Sequence, residues 1–301
     1  AVTSIDSNGF TLGDNGDGTQ SLELNKNGNE YVAWCWKAGG TPTAVNTQSA
    51  GSVPTAGSVK IDGANMTTAL AGSVAAKELT ASTKYGFSIV KYALSGSSPE
   101  TIAHGLNSSL GLLFTKGLGS TNGWACWHSS IGNTEGLVLS SDGGASSVTW
   151  WDQSNMTSSV FAHKAGTTSQ QGDDVIAYCW SEVPGFSKFG EYTGLCSSAK
   201  TVTLGFRPKF LIIKRKGNGS GGETTWGGWG MYQDPYTDQQ LMANCSGEEG
   251  VRGNCNVGSG KRDIQANVTF NDDGFTVDSC WYEQNDTVDY VYAAWGEEIA
   301  G

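Results

Sequence analysis

Two stretches decide the fold: Val175-Ile-Ala-Tyr-Cys-Trp180 and Tyr290-Val-Tyr-Ala-Ala-Trp295. Each is a short apolar and aromatic run closed by a turn, Ser181-Glu-Val-Pro-Gly185 after the first and Gly296-Glu-Glu298 after the second. Runs of this length and composition, bounded by such turns, predict strands rather than helices. A third copy, Tyr31-Val-Ala-Trp-Cys-Trp36, precedes Lys37-Ala-Gly-Gly40. Cys35, Cys179 and Ala294 then share one position, and Trp36, Trp180 and Trp295 another. A cysteine that alanine replaces in a sister copy is a packing residue, so all six are read as repeat core.

Further landmarks keep the same order. Gly86-Phe-Ser-Ile-Val-Lys-Tyr92 matches Phe186-Ser-Lys-Phe-Gly-Glu-Tyr192, and Ala103-His-Gly-Leu106 matches Thr203-Leu-Gly-Phe206. Both lead into apolar runs ending at Lys116 and Lys214. Trp124-Ala-Cys-Trp127 is set against Trp226-Gly-Gly-Trp229, which adds Trp127 and Trp229 to the expected core. Ser4-Ile-Asp-Ser-Asn-Gly-Phe-Thr11 pairs with Val268-Thr-Phe-Asn-Asp-Asp-Gly-Phe-Thr276, two strands around a tight Asn/Asp-Gly turn. Repetition of this kind predicts tandem modules.

The expected layout is therefore an all-β chain of antiparallel, jelly-roll-like β-sandwich modules at 84–185 and 186–301. Residues 1–40 read as the C-terminal strands of a preceding module, belonging to a longer polypeptide or completing another domain's sheet. Residues 41–83 are a Thr/Ala/Gly-rich connector that covers module edges, with a weak helical tendency over Ala69–Lys77.

Composition agrees. Gly is 43 of 301 residues against a usual share of about 7 %, and charged residues are 16 % against about 25 %. A net charge of −11 excludes the basic footprint that nucleic acid or an anionic membrane surface requires. No apolar run reaches the length of a membrane-spanning helix. The seven cysteines form no CxxC or Cys/His cluster with zinc spacing, and all are expected to be reduced thiols.

The strings Trp36-Lys-Ala-Gly-Gly-Thr-Pro-Thr43, Val53-Pro-Thr-Ala-Gly-Ser-Val-Lys-Ile-Asp-Gly-Ala-Asn65 and Ala177-Tyr-Cys-Trp-Ser-Glu-Val-Pro-Gly-Phe-Ser-Lys-Phe-Gly-Glu-Tyr-Thr-Gly194 carry a resemblance. So does Leu204-Gly-Phe-Arg-Pro-Lys-Phe-Leu-Ile-Ile-Lys-Arg215. The chain resembles the repeat modules of tail-fibre-like virion appendage proteins of marine bacteriophages, of the cyanophage type. The resemblance implies a structural protein on the particle exterior, made in the host bacterial cytoplasm. It also implies a homo-oligomer, as a trimer, that contacts other virion proteins, and it brings no catalytic residues. The segment Cys245–Arg262 departs from the pattern and marks local specialisation.

The search for chemistry is consistent with this. His104, His128 and His163 lie in separate segments without a metal-binding or nucleophilic arrangement, and no GxSxG elbow occurs. The pairs Asp173-Asp174, Glu248-Glu249, Asp272-Asp273 and Glu297-Glu298 fall at turns or ends, unlike the facing carboxylates of a glycosidase. Asp14–Glu23 fails the calcium-loop spacing and reads as a hairpin turn. No enzyme activity, cofactor or metal is expected. The candidate ligand residues are Trp150, Trp151, Asp152, Tyr232 and Tyr236, since aromatic faces beside carboxylates suit a host cell-surface glycan. Trp150 and Trp151 are adjacent, so on a regular strand one ring faces outward. The functional expectation is a virion appendage that attaches to a host. Capsid decoration or tail scaffolding without receptor contact, and a secreted bacterial lectin or adhesin, are the alternatives.

Overall fold

The structure, a computed structural model, describes residues 2–6, 8–13, 31–96, 99–119, 121–141, 143–164, 173–217, 228–234, 241–243, 268–278 and 285–297. The chain divides into two compact units, 1–36 and 37–301. In the first, β1 (Val2–Asp6) and β2 (Gly9–Leu12) form an antiparallel hairpin, with Ile5 opposite Phe10 and Asp6 opposite Gly9. Tyr31–Trp36 belongs to no strand, Cys35 is exposed and Trp36 is half-buried. This corrects the core assignment of Cys35 and Trp36. Their counterparts lie on strands held between two neighbouring strands, whereas no strand is assigned to 31–36.

The second unit is all-β. It opens with β3 (Val59–Ile61), β4 (Ala64–Asn65) and β5 (Glu78–Ser82). Ala69–Lys77 contains no helix, because isolated bridges from Gly72 and Val74 to Ile102 hold this stretch extended. A first block follows: β6 (Phe87–Ala93), β7 (Glu100–Ala103), β8 (Leu110–Gly117), β9 (Ala125–His128), β10 (Glu135–Val138), β11 (Ser146–Ser147), β12 (Val160–His163) and β13 (Asp174–Ser181). A second block comprises β14 (Ser187–Thr193), β15 (Lys200–Thr203), β16 (Phe210–Arg215), β17 (Trp229–Gln233), β18 (Leu241–Met242), β19 (Val268–Asn271), β20 (Gly274–Val277) and β21 (Asp289–Trp295).

The two blocks share one strand order. The first runs β10-β9-β8-β13-β6, with β12-β7 as a separate small sheet; the second runs β18-β17-β16-β21-β14, with β15-β20-β19. The aromatic runs 175–180 and 290–295 are thus the central strands of their sheets. Each small sheet packs on its central sheet as a sandwich. In the second block Leu211, Ile213, Tyr290, Tyr292 and Ala294 meet Val268, Phe270, Phe275 and Val277 in one core. In the first, Tyr92 meets Phe161 edge-on at 5.6 Å. The connector extends the first central sheet by β5, β3 and β4, with β3 and β5 parallel.

Register revises one landmark. Leu113 lies opposite Cys179 and Trp127, while Leu211 lies opposite Ala294 and Tyr232. Trp127 therefore corresponds to Tyr232 and not to Trp229, and the string 124–127 aligns with 229–232. Trp127 and Trp229 are both buried, on opposite faces of their sheets. The expectation of reduced thiols also fails. Cys35, Cys126 and Cys179 are free, but Cys196 is disulfide-bonded. It sits half-buried in the loop after β14, where a thiol is not packed as a small hydrophobe. Cys245 and Cys255 lie outside the described residues.

Candidate functional site

Strand alternation sends one face of each central sheet into its own sandwich and the other toward the neighbouring block. The outward faces carry Phe114, His128 and Trp180 in the first block, and Phe189, Trp229 and Trp295 in the second. They form an aromatic seam. Trp180 meets Trp295 at 6.0 Å and 65°, Phe114 meets Trp229 at 5.9 Å and 88°, and His128 meets Phe189 at 6.4 Å and 63°. These edge-to-face geometries match the ring quadrupoles. Hydrogen bonds also cross the seam. Trp229 Nε1 donates to Val138 O at 3.0 Å, His128 Nε2 to Tyr292 O at 2.9 Å, and Ala145 N to Lys216 O at 2.7 Å. Lys214 is fully buried there, its ammonium 5.7 Å from the Trp229 ring and 3.4 Å from Ser141 O.

The three histidines are buried. Ser130 N donates to His128 Nδ1 at 3.1 Å and Leu106 N to His104 Nδ1 at 3.3 Å, which leaves the proton of each neutral ring on Nε2. Burial pulls both pKa values down to about 4, against the opposing pull of a backbone carbonyl at Nε2. Burial takes His163 to about 3; it shares a 2.5 Å hydrogen bond with the Tyr92 hydroxyl and lies against the Trp151 ring. All three serve as neutral, internally bonded core groups.

The predicted ligand residues scatter. Tyr232 is wholly buried in the second sandwich, so it presents no face to a ligand. Its place is that of Trp127 in the sister block, which is why it packs inward. Tyr236 lies outside the described residues. Trp151 is buried and bridges to His163, whereas Trp150 is half-buried. Their rings do not point to opposite sides. A Cβ on Gly136 would lie 2.8 Å from Trp150 Nε1 and 3.1 Å from Trp151 Nε1, so both indoles converge on this glycine. The chain bends at 149–150 instead of continuing as a strand, and that breaks the expected alternation.

Asp152 caps the 3₁₀ turn Gln153–Asn155. Its Oδ1 accepts from Ser154 N at 3.1 Å and Ser154 Oγ at 2.5 Å, and Oδ2 accepts from Asn155 Nδ2 at 2.7 Å. The Ser154 hydroxyl first, then Asn155, hold its pKa below the usual carboxylate range. Asp234, just after Tyr232 in sequence, is ion-paired with Lys209 at 2.9 Å and Arg207 at 3.3 Å. Asp174 pairs with Lys77 and Lys91. Asp272 and Asp273 occupy the β19–β20 turn. Glu248-Glu249 and the specialised segment 245–262 lie outside the described residues. No group of three His, Cys, Asp or Glu among the described residues is arranged to hold a metal ion. No helix among them is long and apolar enough to cross a membrane. An open cleft of about 370 Å³ at the seam's rim is lined by Glu135, Ala145, Lys216, Gly217, Val288 and Asp289.

Sequence reading missed the seam. Its signal is present in Phe210-Leu-Ile-Ile-Lys-Arg215, where every residue is buried and two-residue alternation is absent. Such a run marks a strand covered on both faces.

No curated protein and no solved structure matches the chain. A model of a domain family of unknown function, DUF7483, matches residues 1–64 and, separately, residues 60–299. With nearly its whole length matched, the chain belongs to the DUF7483 family.

Proposed function

We propose that this protein is a non-enzymatic bacteriophage virion component, a tail fibre or appendage that mediates attachment to the host surface. The observation that carries this reading is the seam. Two sandwiches of one topology, joined through a buried aromatic layer with hydrogen bonds across it, make a stiff unit that resists shear between modules. Stiff serial modules suit a spacer that holds a binding tip away from a particle. A homo-oligomer of such chains, a trimer by the resemblance, multiplies weak contacts with a surface glycan into firm adsorption. The net charge of −11 favours solubility without nucleic-acid or membrane affinity. The Cys196 disulfide suits a virion exterior, and it favours equally the second reading, a secreted bacterial adhesin.

The test is immunogold labelling of intact particles with antibody raised against residues 37–301. Gold at distal fibres or the tail tip is the expected result. Gold spread over the capsid replaces attachment with decoration, and absence of gold from every particle gives the secreted adhesin first place.

A further inference from the structure

The tryptophan–lysine pair of the seam has a sister outside it. Register places Trp229 opposite Lys214 and, one step beyond the Thr115–Ala125 pair, Trp124 beside Lys116. In the second block this pair is sealed, with Trp229 at 2 % exposure and Lys214 at 0 %. Val291, opposite Lys214, and Ala293 beyond it are buried as well. In the first block Trp124 and Lys116 are half-buried, and β13 sets Ile176 and Tyr178 where β21 has Val291 and Ala293. Those two are also half-buried, whereas Trp180 on the same face is buried in the seam. The seam therefore covers one end of this sheet face and leaves a ledge at the other.

The ledge is aromatic along its middle and charged along its rim. Tyr178 stacks with Trp180 at 6.5 Å and 25°, and meets Trp124 at 5.8 Å and 37°, so the rings step outward from the seam. Burial raises the Tyr178 pKa, which keeps its hydroxyl a neutral donor. At the rim Asp174 pairs with Lys77 and, at 3.6 Å, with Lys91, which also reaches Glu78 at 3.6 Å. These four side chains are 34 to 39 % exposed. The Lys77 ammonium holds the Asp174 carboxyl below the usual carboxylate range, so it stays an acceptor. From Glu78 on β5 to Trp124 beside β9 the ledge crosses five strands, about 19 Å.

We infer that this ledge binds an uncharged polysaccharide, with a hexose ring stacked at Trp124 and Tyr178 and its hydroxyls bonded to Asp174, Glu78 and Lys91. The inference rests on the attachment reading above for the source of the sugar. A pyranose has an apolar C–H face and a rim of hydroxyls that donate and accept. The ledge offers ring surface beside carboxylates and ammoniums already fixed by their ion pairs. Lys77 and Lys91 balance Glu78 and Asp174, so in a chain of net charge −11 this rim has no field that selects an acidic sugar. A second copy cannot cover the ledge as the sister pair is covered. Phe114, Val138 and Ser141, which meet Trp229 and Lys214, are occupied in each copy by its own seam.

Titration of residues 1–301 with hexasaccharides of glucose, of galactose and of mannose, followed by the indole NMR signals, tests it. At least one is expected to bind and to move the Trp124 signal while that of Trp150 stays in place. Trp124→Ala and Tyr178→Ala are each expected to weaken this binding roughly 10-fold or more, with urea midpoints reporting that they fold. Trp124→Phe keeps a ring and is expected to retain most of the affinity. Glu78→Ala combined with Lys91→Ala leaves every ring in place and is expected to weaken binding roughly 5-fold. Failure of all three sugars to bind, or binding that these variants leave unchanged, overturns the inference. A dimer that Trp124→Ala dissociates in sedimentation gives the ledge to a second copy and overturns it too. Gold at the fibre tip, with adsorption to host cells untouched by the Trp124 and Tyr178 substitutions, overturns the ledge and leaves attachment standing. Absence of gold from every particle, with hexasaccharide binding lost in the same variants, upholds the ledge and removes the virion.

Discussion

The blocks at 86–181 and 187–295 reach one topology with different side chains, and their differences fall in compensating pairs. In the first, Ala177 lies opposite Val90; in the second, Tyr292 lies opposite Gly190. A Cβ on Gly190 would sit 2.6 Å from the Tyr292 hydroxyl, so the larger ring requires the smaller partner. Likewise Tyr92 faces Val175 and bonds to His163, whereas Tyr192 faces Tyr290, stacks on it at 5.1 Å, and Val277 takes the histidine's place. The Tyr–Phe contact beneath is retained, Tyr92–Phe161 at 5.6 Å and 69° and Tyr192–Phe275 at 6.0 Å and 71°. What the fold holds constant is filled volume, not residue identity.

The largest test of that equivalence truncates the retained ring in each block. Phe161→Ala and Phe275→Ala are each expected to cost about 3–5 kcal/mol, since both rings are fully buried. Urea unfolding checks this, and the comparison predicts losses within about 1 kcal/mol of each other. A marked inequality would show that one block depends less on its small sheet.

The next largest effect probes the seam. A histidine whose folded pKa lies below its unfolded value of about 6.5 binds fewer protons folded than unfolded, so stability falls as pH drops through that window. For His128, lowered to about 4, the contribution is intact above about pH 6.5 and declines by about 3 kcal/mol on acidification to pH 4. His128→Gln can still donate to Tyr292 O but does not titrate. It is expected to flatten the acid limb of stability against pH, measured by urea midpoints from pH 4 to 7. An unchanged limb would assign acid sensitivity to His104 and His163, which lie away from the seam.

A smaller effect tests compensation directly. Gly190→Val imports the first block's residue and is expected to cost about 1–3 kcal/mol by overpacking against Tyr292. Adding Tyr292→Ala completes the exchange, and the double variant is expected to lose less than the sum of the two single losses. Additive losses would break the claim that the two positions share one volume.

Legibility follows the same physics. The central strands at 175–180 and 290–295 and the hairpin at 268–276 were readable because their cues are local: apolar runs, Asn/Asp-Gly turns and repetition. The alignment of Trp127 with Tyr232 was not, because a Trp-x-x-Trp spacing occurs at both 124–127 and 226–229, and only register across β8–β9 and β16–β17 distinguishes the pairs. That register, which equates Tyr232 with the buried Trp127, is also what removes Tyr232 from the ligand platform. Cys35 looked like core because its counterparts are core; burial depends on neighbouring strands, which a motif does not contain. The seam joins residues far apart in sequence, such as Trp229 and Val138, 91 positions apart, and leaves only the unbroken run 210–215 as its trace.

The smallest predicted effect lies where the blocks differ most. The second small sheet has a full strand, β19, beside β20; among the described residues the first has in that place the bridge from Trp151 to His163 and then the turn 153–155. Trp151 thereby stands where Val268 stands, and Asp152 fixes the turn that follows it. Because the Asp152 oxygens are engaged by Ser154 and Asn155, their role is to cap. Asp152→Ala is expected to cost about 1 kcal/mol, and Asp152→Asn much less because the amide oxygen still caps. Amide exchange at Lys164, which donates to Trp150 O, is the local readout and is expected to accelerate in the alanine variant alone. If stability and exchange are untouched while adsorption to host cells is lost, Asp152 belongs to a glycan site. If stability falls, exchange accelerates and adsorption survives, the turn is the first block's substitute for a strand, and the ligand contacts lie elsewhere on the chain.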